Sequence, residues 1–537
     1  LRSEILPLTQ AHLLEADSES ESGLRPHLVE QMPEVSKDGL NYTYRLRSNP
    51  KWNDGSTISV DDVIFTMKAS KCPLTDNPKL KPYIENLESI IVDSLDSSVF
   101  TLKMKTKNLL NLAFLTGFPL LQETYWDSEN VLRNYSIELF DNPNFKPELE
   151  SNLVNWSRQF NDPKYSRIPE YLVGLGPYEF KYWKPGQSFE LVRKRPHWTD
   201  SKSNSSGVDR IIFKINADPN SQKLEFKTQV FDGSTSMGID DFTELTSDSI
   251  FNSNYNSTFT PSYSYSYLGF NCKPDGVEHK RFFDDIQVRK AIAMAIPYSV
   301  LNEIVYSGMN TRVSGPVSPL KTDFNKDIIP TQFNKAKAAT LLNEAGWIDM
   351  DGDNIRDKVI DGQNVPFEFD LHFMTSPTAW KTLATLIAES LYEIGIKCNP
   401  VPLSFAVLRQ KNRDHDFDAM LSAWASSSFP EDYTQIWSTE SWVKRGSNYV
   451  GFGSVQSDML IDSIKEETDL EKRKELSFRL QEMIVQDQPY VFLFSFSKRL
   501  IAHKRFSNVE YDSNPPHFNL TQWELNPLGF SDTQLNN

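Results

Sequence analysis

Apolar and polar residues alternate with the two-residue period of a β-strand at several places in the first half of the chain. Tyr42–Arg47 and Val99–Lys105 follow this pattern, and both are predicted to be strands. Ser59 is followed by the carboxylates of Asp61 and Asp62 and then by an apolar run. This order predicts the start of a helix, because negative charge is favoured in the first helical turn. Further strands, separated by Pro and Gly turns, are predicted at Tyr178–Tyr182, Phe189–Arg193 and Arg210–Ile215.

The second half of the chain carries longer segments with the spacing of amphipathic helices. Helices are predicted at Ile286–Val305, Asn334–Glu344, Thr378–Ile394 and Asp458–Gln486. Strands are predicted between and after them, at Ile396–Val401, Phe417–Trp424 and Tyr490–Phe496. Strands mixed with long helices indicate an α/β protein. Since 537 residues exceed what one hydrophobic core usually supports, two or three domains are expected.

Charge and composition exclude some classes of function. A net charge of −16 disfavours binding to nucleic acid, because the phosphate backbone would be repelled. No apolar run approaches the roughly 20 residues of a membrane span. The chain begins at Leu1 without a signal segment, which we interpret as a mature or trimmed form. Exposed loops are expected at Glu15–Glu21 and Ser201–Gly207.

The three cysteines do not form a metal-binding or disulfide-rich pattern. Their spacing is too wide for a zinc site, and it leaves open either one disulfide with a free thiol or three reduced thiols: Cys72, Cys272 and Cys398. The eight histidines are dispersed, and the motifs of the common nucleophilic, zinc-dependent and nucleotide-binding enzymes are missing from the sequence. No catalytic residue is therefore predicted. A secreted hydrolase that uses paired carboxylates stays an alternative, since sequence spacing does not reveal such pairs.

One acidic loop resembles a calcium-binding loop in the spacing of its carboxylates. Its candidate ligands are Asp349, Asp351, Asp353 and Asp357. The closing glutamate of such a loop is missing, because position 360 is Ile. Asp and Gly are also typical of exposed turns. We therefore expect a turn without a cofactor, with a bound calcium ion as the weaker alternative.

Four aromatic-rich segments carry a resemblance to a known family. They are YTYRLRSNPKWNDGSTISVDDVIF from Tyr42, GLGPYEFKYWKPGQSFELVRKRPHW from Gly174, YLGFN from Tyr267 with the helix that follows, and NKAKAATLLNEAGWIDMDGDNIRDK from Asn334. In this order they resemble the family 5 extracellular solute-binding proteins, the dipeptide and oligopeptide receptors of ABC importers. The tryptophans of these segments are expected to pack in the core and in turns: Trp52, Trp183, Trp198 and Trp347.

The resemblance implies a two-lobed, periplasmic-binding-protein-like α/β fold of the class II type. A discontinuous first lobe is expected at 1–25, 170–262 and 500–537, with an extra domain at 26–169 and a second lobe at 263–499. It also implies a monomeric, non-catalytic receptor in the periplasm, or lipid-anchored at the outer face of the cytoplasmic membrane. Such a receptor captures a solute, here expected to be a peptide, between its lobes and delivers it to the membrane subunits of an ABC permease. A sensory or chaperone-like binding protein of the same fold is a further alternative.

The segment that matches the family's ligand-binding region departs from the family pattern. Similar peptide receptors carry a Trp followed shortly by an Asp whose carboxylate pairs with the peptide α-amine. Trp424 matches, but serines stand where the Asp is expected: Ser426, Ser427 and Ser428. Either Glu431 or Asp432 supplies the carboxylate from a shifted loop, or the ligand is anchored elsewhere, or it has no amine, as an oligosaccharide would; a plain small-residue turn is the structural alternative. Asn271 and Trp380 are further ligand-binding candidates.

Overall fold

The chain divides into two units. The computed structural model describes residues 2–17, 20, 22–77, 81–108, 110–113, 118–200, 207–216, 218–273, 281–360 and 362–526. The first unit comprises Leu1–Thr258 and Arg499–Asn537, and the second comprises Phe259–Lys498. The predicted second lobe, 263–499, overlaps the second unit in sequence and stays a prediction. The division of the first unit into a lobe and an extra domain stays a prediction.

Short strands and helices alternate in the first unit. Its strands, numbered in chain order, are β1 Leu14–Ala16, β2 Leu24–Pro26, β3 Glu34–Val35, β4 Asn41–Arg45, β5 Leu87–Val92, β6 Val99–Met104, β7 Tyr178–Lys184, β8 Ser188–Arg193, β9 Arg210–Lys214 and β10 Gly233–Ser234. Its helices are α1 Arg2–Thr9, α2 Val60–Lys71, α3 Lys81–Ile84, α4 Leu110–Ala113, α5 Glu123–Trp126, α6 Ser151–Phe160, α7 Lys164–Arg167, α8 Pro219–Lys227, α9 Ile239–Thr246 and α10 Ser249–Asn254.

Longer elements build the second unit. They are β11 Tyr255–Phe270, α11 Ile286–Ala295, α12 Tyr298–Tyr306, β12 Thr311–Arg312, α13 Lys335–Glu344, β13 Asp357–Ile360, β14 Gln363–Pro366, β15 Glu368–Met374, α14 Ala379–Tyr392, β16 Lys397–Leu403, α15 Phe405–Asp414, β17 Ala419–Trp424, α16 Thr434–Trp437, α17 Thr439–Val443, α18 Val455–Glu466, α19 Leu470–Asp487 and β18 Tyr490–His503. The first residues of β11 and the last of β18 belong to the first unit, which β19 Phe506–Ser507 and β20 Glu524–Leu525 then complete.

Two antiparallel sheets organise the first unit, one in the order β3-β4-β6-β5 and one in the order β7-β8-β9. The strands predicted from alternation are confirmed in β4, β6, β7, β8 and β9. Helix α2 begins as predicted: the Ser59 side chain accepts a hydrogen bond from the backbone N–H of Asp62, and the Asp62 side chain accepts one from Ser59 in return. The buried indole of Trp52 donates to the same Asp62 carboxylate at 3.2 Å, so this tryptophan fixes a turn against the helix start.

A mixed sheet is the framework of the second unit, with strand order β18-β11-β17-β15-β16. Strand β15 pairs in parallel with β16 and with β17, while β17 pairs antiparallel with β11. Helices α14 and α15 connect β15 to β16 and β16 to β17, as parallel pairing requires. The carboxyl ends of the parallel strands, at Met374, Leu403 and Trp424, therefore share one edge of the sheet.

Two segments that were each predicted to be one long helix form two helices in the structure. The segment Ile286–Val305 forms α11 and α12, because Pro297 between them has no N–H to donate to the preceding turn. The segment Asp458–Gln486 forms α18 and α19, with a new helix start at Asp469, whose side chain accepts from the Lys472 N–H.

The bounds of the first predicted loop and of the last predicted strand differ from those in the structure. Glu15 and Ala16 lie in β1, so the exposed-loop prediction for Glu15–Glu21 is wrong at its start. Residues 201–206 of the second predicted loop lie outside the described residues. Strand β18 extends seven residues beyond the predicted end at Phe496, to His503.

The three cysteines are free thiols and all are buried, so the structure agrees with three reduced thiols. Burial raises the pKa of the Cys272 thiol to about 12. Among the described residues, no helix combines the length and the apolar character needed to cross a membrane.

Candidate ligand-binding site

Trp424 is the last residue of β17 and lies at the carboxyl edge of the parallel strands, the edge at which α/β sheets place their ligands. Its indole N–H donates to the Tyr490 hydroxyl at 3.2 Å. Its ring stacks on Tyr267 and on Tyr449, with centroid separations of 6.0 Å and 5.7 Å. Tyr267 stacks in turn on Tyr490 at 3.9 Å. Trp424 is thus held in one orientation by neighbouring rings while it stays partly exposed.

The rings behind Trp424 are fully buried. Tyr267 and Tyr490 expose 0% of their surface, and burial raises the pKa of both hydroxyls well above the ordinary tyrosine value. Both therefore stay protonated at physiological pH, and Tyr490 can both accept from the indole and donate onward. These tyrosines therefore give the Trp424 ring a rigid, uncharged support.

The serines that follow Trp424 lie in an irregular segment, residues 425–432, and Ser426, Ser427 and Ser428 are all partly buried. The Ser426 hydroxyl donates to a Glu431 carboxylate oxygen at 3.3 Å. The segment is therefore folded back on itself, with Ser426 and Glu431 in contact across its two ends.

Glu431 is the centre of a buried charge cluster. Its carboxylate forms an ion pair with Lys321, and the exposed side-chain fractions of the lysine and the glutamate are 4% and 14%. The same ammonium donates to the carbonyl oxygen of Phe429 at 2.8 Å. The Glu431 carbonyl accepts from the Arg473 guanidinium at 3.1 Å. Lys321 thus neutralises the carboxylate and holds the segment at two points.

Asp432 and Tyr433 close the segment. An Asp432 carboxylate oxygen accepts from the Thr434 N–H at 3.0 Å, which starts helix α16. The buried Tyr433 hydroxyl lies 2.7 Å from Ser477 of α19, and Ser477 donates to the buried Asp323 carboxylate at 3.3 Å. Asp432 therefore has a local structural role, and Tyr433 anchors the segment to the helices behind it.

Of the two remaining ligand candidates, Asn271 lies away from Trp424. Asn271 follows β11, and the register pairs Tyr265 with Trp424 but Phe270 with Ala419. Asn271 therefore lies beyond the far end of this strand pair, about 20 Å away at the usual rise per residue. Its buried amide donates to the carbonyl oxygens of His415 and Phe417, both at 3.0 Å.

Trp380 opens helix α14, which follows β15, so it belongs to the same edge of the sheet as Trp424. Its ring is only 6% exposed and packs in the hydrophobic core of the second unit. Core packing accounts for the contacts of Trp380.

The acidic loop brings three of its four predicted ligands together. One carboxylate oxygen from each of Asp349, Asp351 and Asp353 lies within 4.8 Å of the others, and all three residues are exposed. Asp357 is buried instead, and one of its oxygens accepts from the Met350 N–H at 3.2 Å.

The contacts of this loop are those of a turn. Asp349 accepts from the backbone N–H groups of Gly352 and Asn354, at 2.7 Å and 3.1 Å, and Gly352 adopts the left-handed φ of +83°. Three convergent carboxylates can bind a divalent cation, but their hydrogen bonds to the loop backbone already explain the conformation.

Sequence reasoning missed the partners of the site. Lys321 lies 110 residues before Glu431, and no local pattern connects them. The tyrosines near Trp424 could have been predicted from the sequence. The run Tyr263–Tyr267 alternates tyrosine with serine, which places successive rings on one face of a strand.

The comparison with protein families decides the assignment of the chain. The model of the bacterial extracellular solute-binding proteins, family 5 (middle), matches residues 23–445. The chain belongs to this family. Its curated relatives include the oligopeptide-binding protein AppA of Bacillus subtilis, which is 28% identical over 93% of this chain and 83% of its own length. Another is the heme-binding protein A of Haemophilus influenzae, 22% identical over 87% of this chain and 78% of that protein.

Solved structures share the family 5 fold. Bacillus subtilis AppA in complex with a nonapeptide superposes with a TM-score of 0.74 at 24% identity, covering 97% of this chain and 94% of AppA. NikA from Brucella suis in complex with Fe(III)-EDTA gives a TM-score of 0.77 at 19% identity, covering 98% of this chain and 95% of NikA. The two-lobed α/β fold of the family is therefore the fold of this chain.

Proposed function

We propose that the protein is an extracytoplasmic receptor that captures a peptide and delivers it to the permease of an ABC importer. The peptide binds to the Trp424 segment, which is Trp424 with the residues 425–432 that follow it. Membership of the solute-binding family supports a receptor. Relatives named for oligopeptide and dipeptide binding support a peptide as the solute. The observation that carries the location is Trp424, a partly exposed ring held rigidly at the carboxyl edge of a parallel sheet.

The chemistry of the segment suits a peptide. The exposed part of the Trp424 ring offers an apolar face for a side chain or a planar peptide group. The Ser427 hydroxyl can donate to a peptide carbonyl, and the hydroxyl oxygens of Ser426 and Ser427 can accept from peptide N–H groups. Because the supporting side chains are already ordered, little conformational entropy is lost when the ligand binds.

The proposed function needs no bond to be made or broken in the solute. Capture and release depend on reversible hydrogen bonds and apolar contacts, so the ligand leaves chemically unchanged. We accordingly propose that the protein is not an enzyme and acts as a monomeric carrier between the extracytoplasmic space and the permease.

Calorimetric titration tests this function. The protein is unfolded in guanidinium to remove co-purified ligand, refolded, and titrated with randomised tripeptide, pentapeptide and nonapeptide pools. We expect binding to a single class of sites for at least one length, with every peptide recovered intact by mass spectrometry. Trp424→Ala should weaken binding by about tenfold or more, the range expected when a central aromatic contact is removed.

Trp442→Ala is the matched control, because Trp442 is also a partly buried tryptophan of the second unit but stacks on His415 at 4.9 Å. It should leave peptide affinity unchanged. Peptide cleavage, or binding of haem or a metal chelate in place of every peptide pool, would contradict the proposed function.

A further inference from the structure

The carboxylates of the Trp424 segment are already engaged within the protein. Between Trp424 and Tyr433 the acidic residues are Glu431 and Asp432. Glu431 is paired with Lys321 and accepts from Ser426, and Asp432 accepts from the Thr434 N–H. Within residues 425–432, the Glu431 carboxylate is therefore neutralised by a lysine, and the Asp432 carboxylate is bonded to the start of helix α16.

We propose that the wall formed by residues 425–432 receives an uncharged part of the peptide: an acylated amino terminus, or an internal peptide group of a chain that continues past the wall. This inference rests on the proposed function, since it concerns the same site. A ligand ammonium pressed against hydroxyl groups loses its water without gaining an opposite charge, which is costly. An amide loses far less, because serine hydroxyls satisfy its donor and its acceptor.

Lys321 is the residue that sets this preference. Its ammonium pairs with the Glu431 carboxylate oxygen that Ser426 also contacts, which is the position that a ligand ammonium would need. The lysine is itself 4% exposed and donates to the Phe429 carbonyl at 2.8 Å, so it is fixed in place. The Lys321 ammonium is thus already paired with the Glu431 carboxylate, which would otherwise be able to bind the ammonium of a ligand.

The probe is one randomised pentapeptide pool divided in two, with one half acetylated at the amino terminus. Both halves are titrated by calorimetry into the unfolded and refolded full chain. For the wild type we expect the acetylated half to bind at least as tightly as the free half. Lys321→Met releases the Glu431 carboxylate and should shift the preference towards the free amine by about tenfold, as expected for a newly formed buried ion pair.

Two further variants isolate the cause. Adding Glu431→Gln to Lys321→Met removes the released charge and should abolish the new preference. Lys444→Met, at an exposed lysine paired with Glu440, should change nothing. If the lysine variant does not fold, the wild-type comparison still decides the proposal.

Tighter binding of the free-amine half than of the acetylated half to the wild type would overturn the proposed preference for an uncharged group at the wall while leaving the peptide receptor intact. Failure of both halves to bind would overturn the peptide function and this inference together. Unchanged preference in a folded Lys321→Met protein would remove Lys321 from its assigned role.

Discussion

The Lys321–Glu431 pair yields the sharpest prediction about stability. Lys321→Met leaves a carboxylate that is 14% exposed with the Ser426 hydroxyl as its remaining side-chain partner. Leaving one member of a buried ion pair uncompensated typically costs about 3–5 kcal/mol of unfolding free energy. The lost hydrogen bond to the Phe429 carbonyl adds about 1 kcal/mol.

Glu431→Gln should cost less, about 2–3 kcal/mol, because Lys321 keeps its bond to the Phe429 carbonyl and the amide still accepts from Ser426. The double variant should be more stable than the sum of the two losses predicts, since no unpaired charge is left. We expect a coupling energy on the order of 2 kcal/mol.

Guanidinium unfolding followed by far-UV circular dichroism measures these losses, and hydrogen exchange of residues 425–433 assigns them to the segment. The exposed pair Lys444–Glu440, with side chains 72% and 69% exposed, is the control and should show no measurable coupling. A coupling as small for Lys321 and Glu431 as for this control would refute the view that the pair is buried and structurally important.

Three further changes test the packing and titration of both units. Trp347→Ala should lower the stability of the second unit by about 3–5 kcal/mol, because the ring is 1% exposed and its loss leaves a cavity. Gly176→Ala should cost about 2–3 kcal/mol in the first unit, because an added Cβ would lie 2.5 Å from the Leu8 carbonyl oxygen. Burial lowers the pKa of His197 from 6.5 to about 4, so the folded state favours neutral histidine. The urea midpoint of the first unit should therefore fall as the pH drops from about 6.5 towards about 4, where the unfolded state binds the extra proton.

Each of these predictions has its own control. Leu95→Ala removes a side chain that is 97% exposed and should leave the thermal midpoint unchanged. At Gly315 an added Cβ would lie 3.5 Å from its nearest neighbour, so Gly315→Ala should be tolerated where Gly176→Ala is not. His197→Gln should make the loss of stability at low pH shallower. Equal melting of the two glycine variants, or an unaltered pH profile, would show that the contacts assigned to these residues are incorrect.

Local sequence patterns were sufficient to predict most of the longer helices and strands. Helix α2 carries its own start signal in Ser59 and Asp62, and strand β4 carries its alternation. The points at which long helices are interrupted were harder to predict. The helical spacing of apolar residues continues across Pro297, although the proline cannot donate the next backbone hydrogen bond.

The site was less predictable than the fold, for a physical reason. Trp424 and its serines could be located because they follow a strand within one segment. Whether the Glu431 carboxylate is available to bind a ligand depends on its ion pair with Lys321, which is 110 residues away in the sequence. A contact of that kind is set by tertiary packing. Asn271 is contiguous with a family motif, yet strand register places it at the opposite end of the β11–β17 pair.

Native mass spectrometry of gently purified full-length protein tests the central claim most directly. A peptide receptor should carry a population of bound masses at one ligand per chain, which denaturation releases and tandem fragmentation reads as peptide sequences. A bound sugar or metal chelate, or protein that carries no ligand and binds no added peptide, would contradict the account.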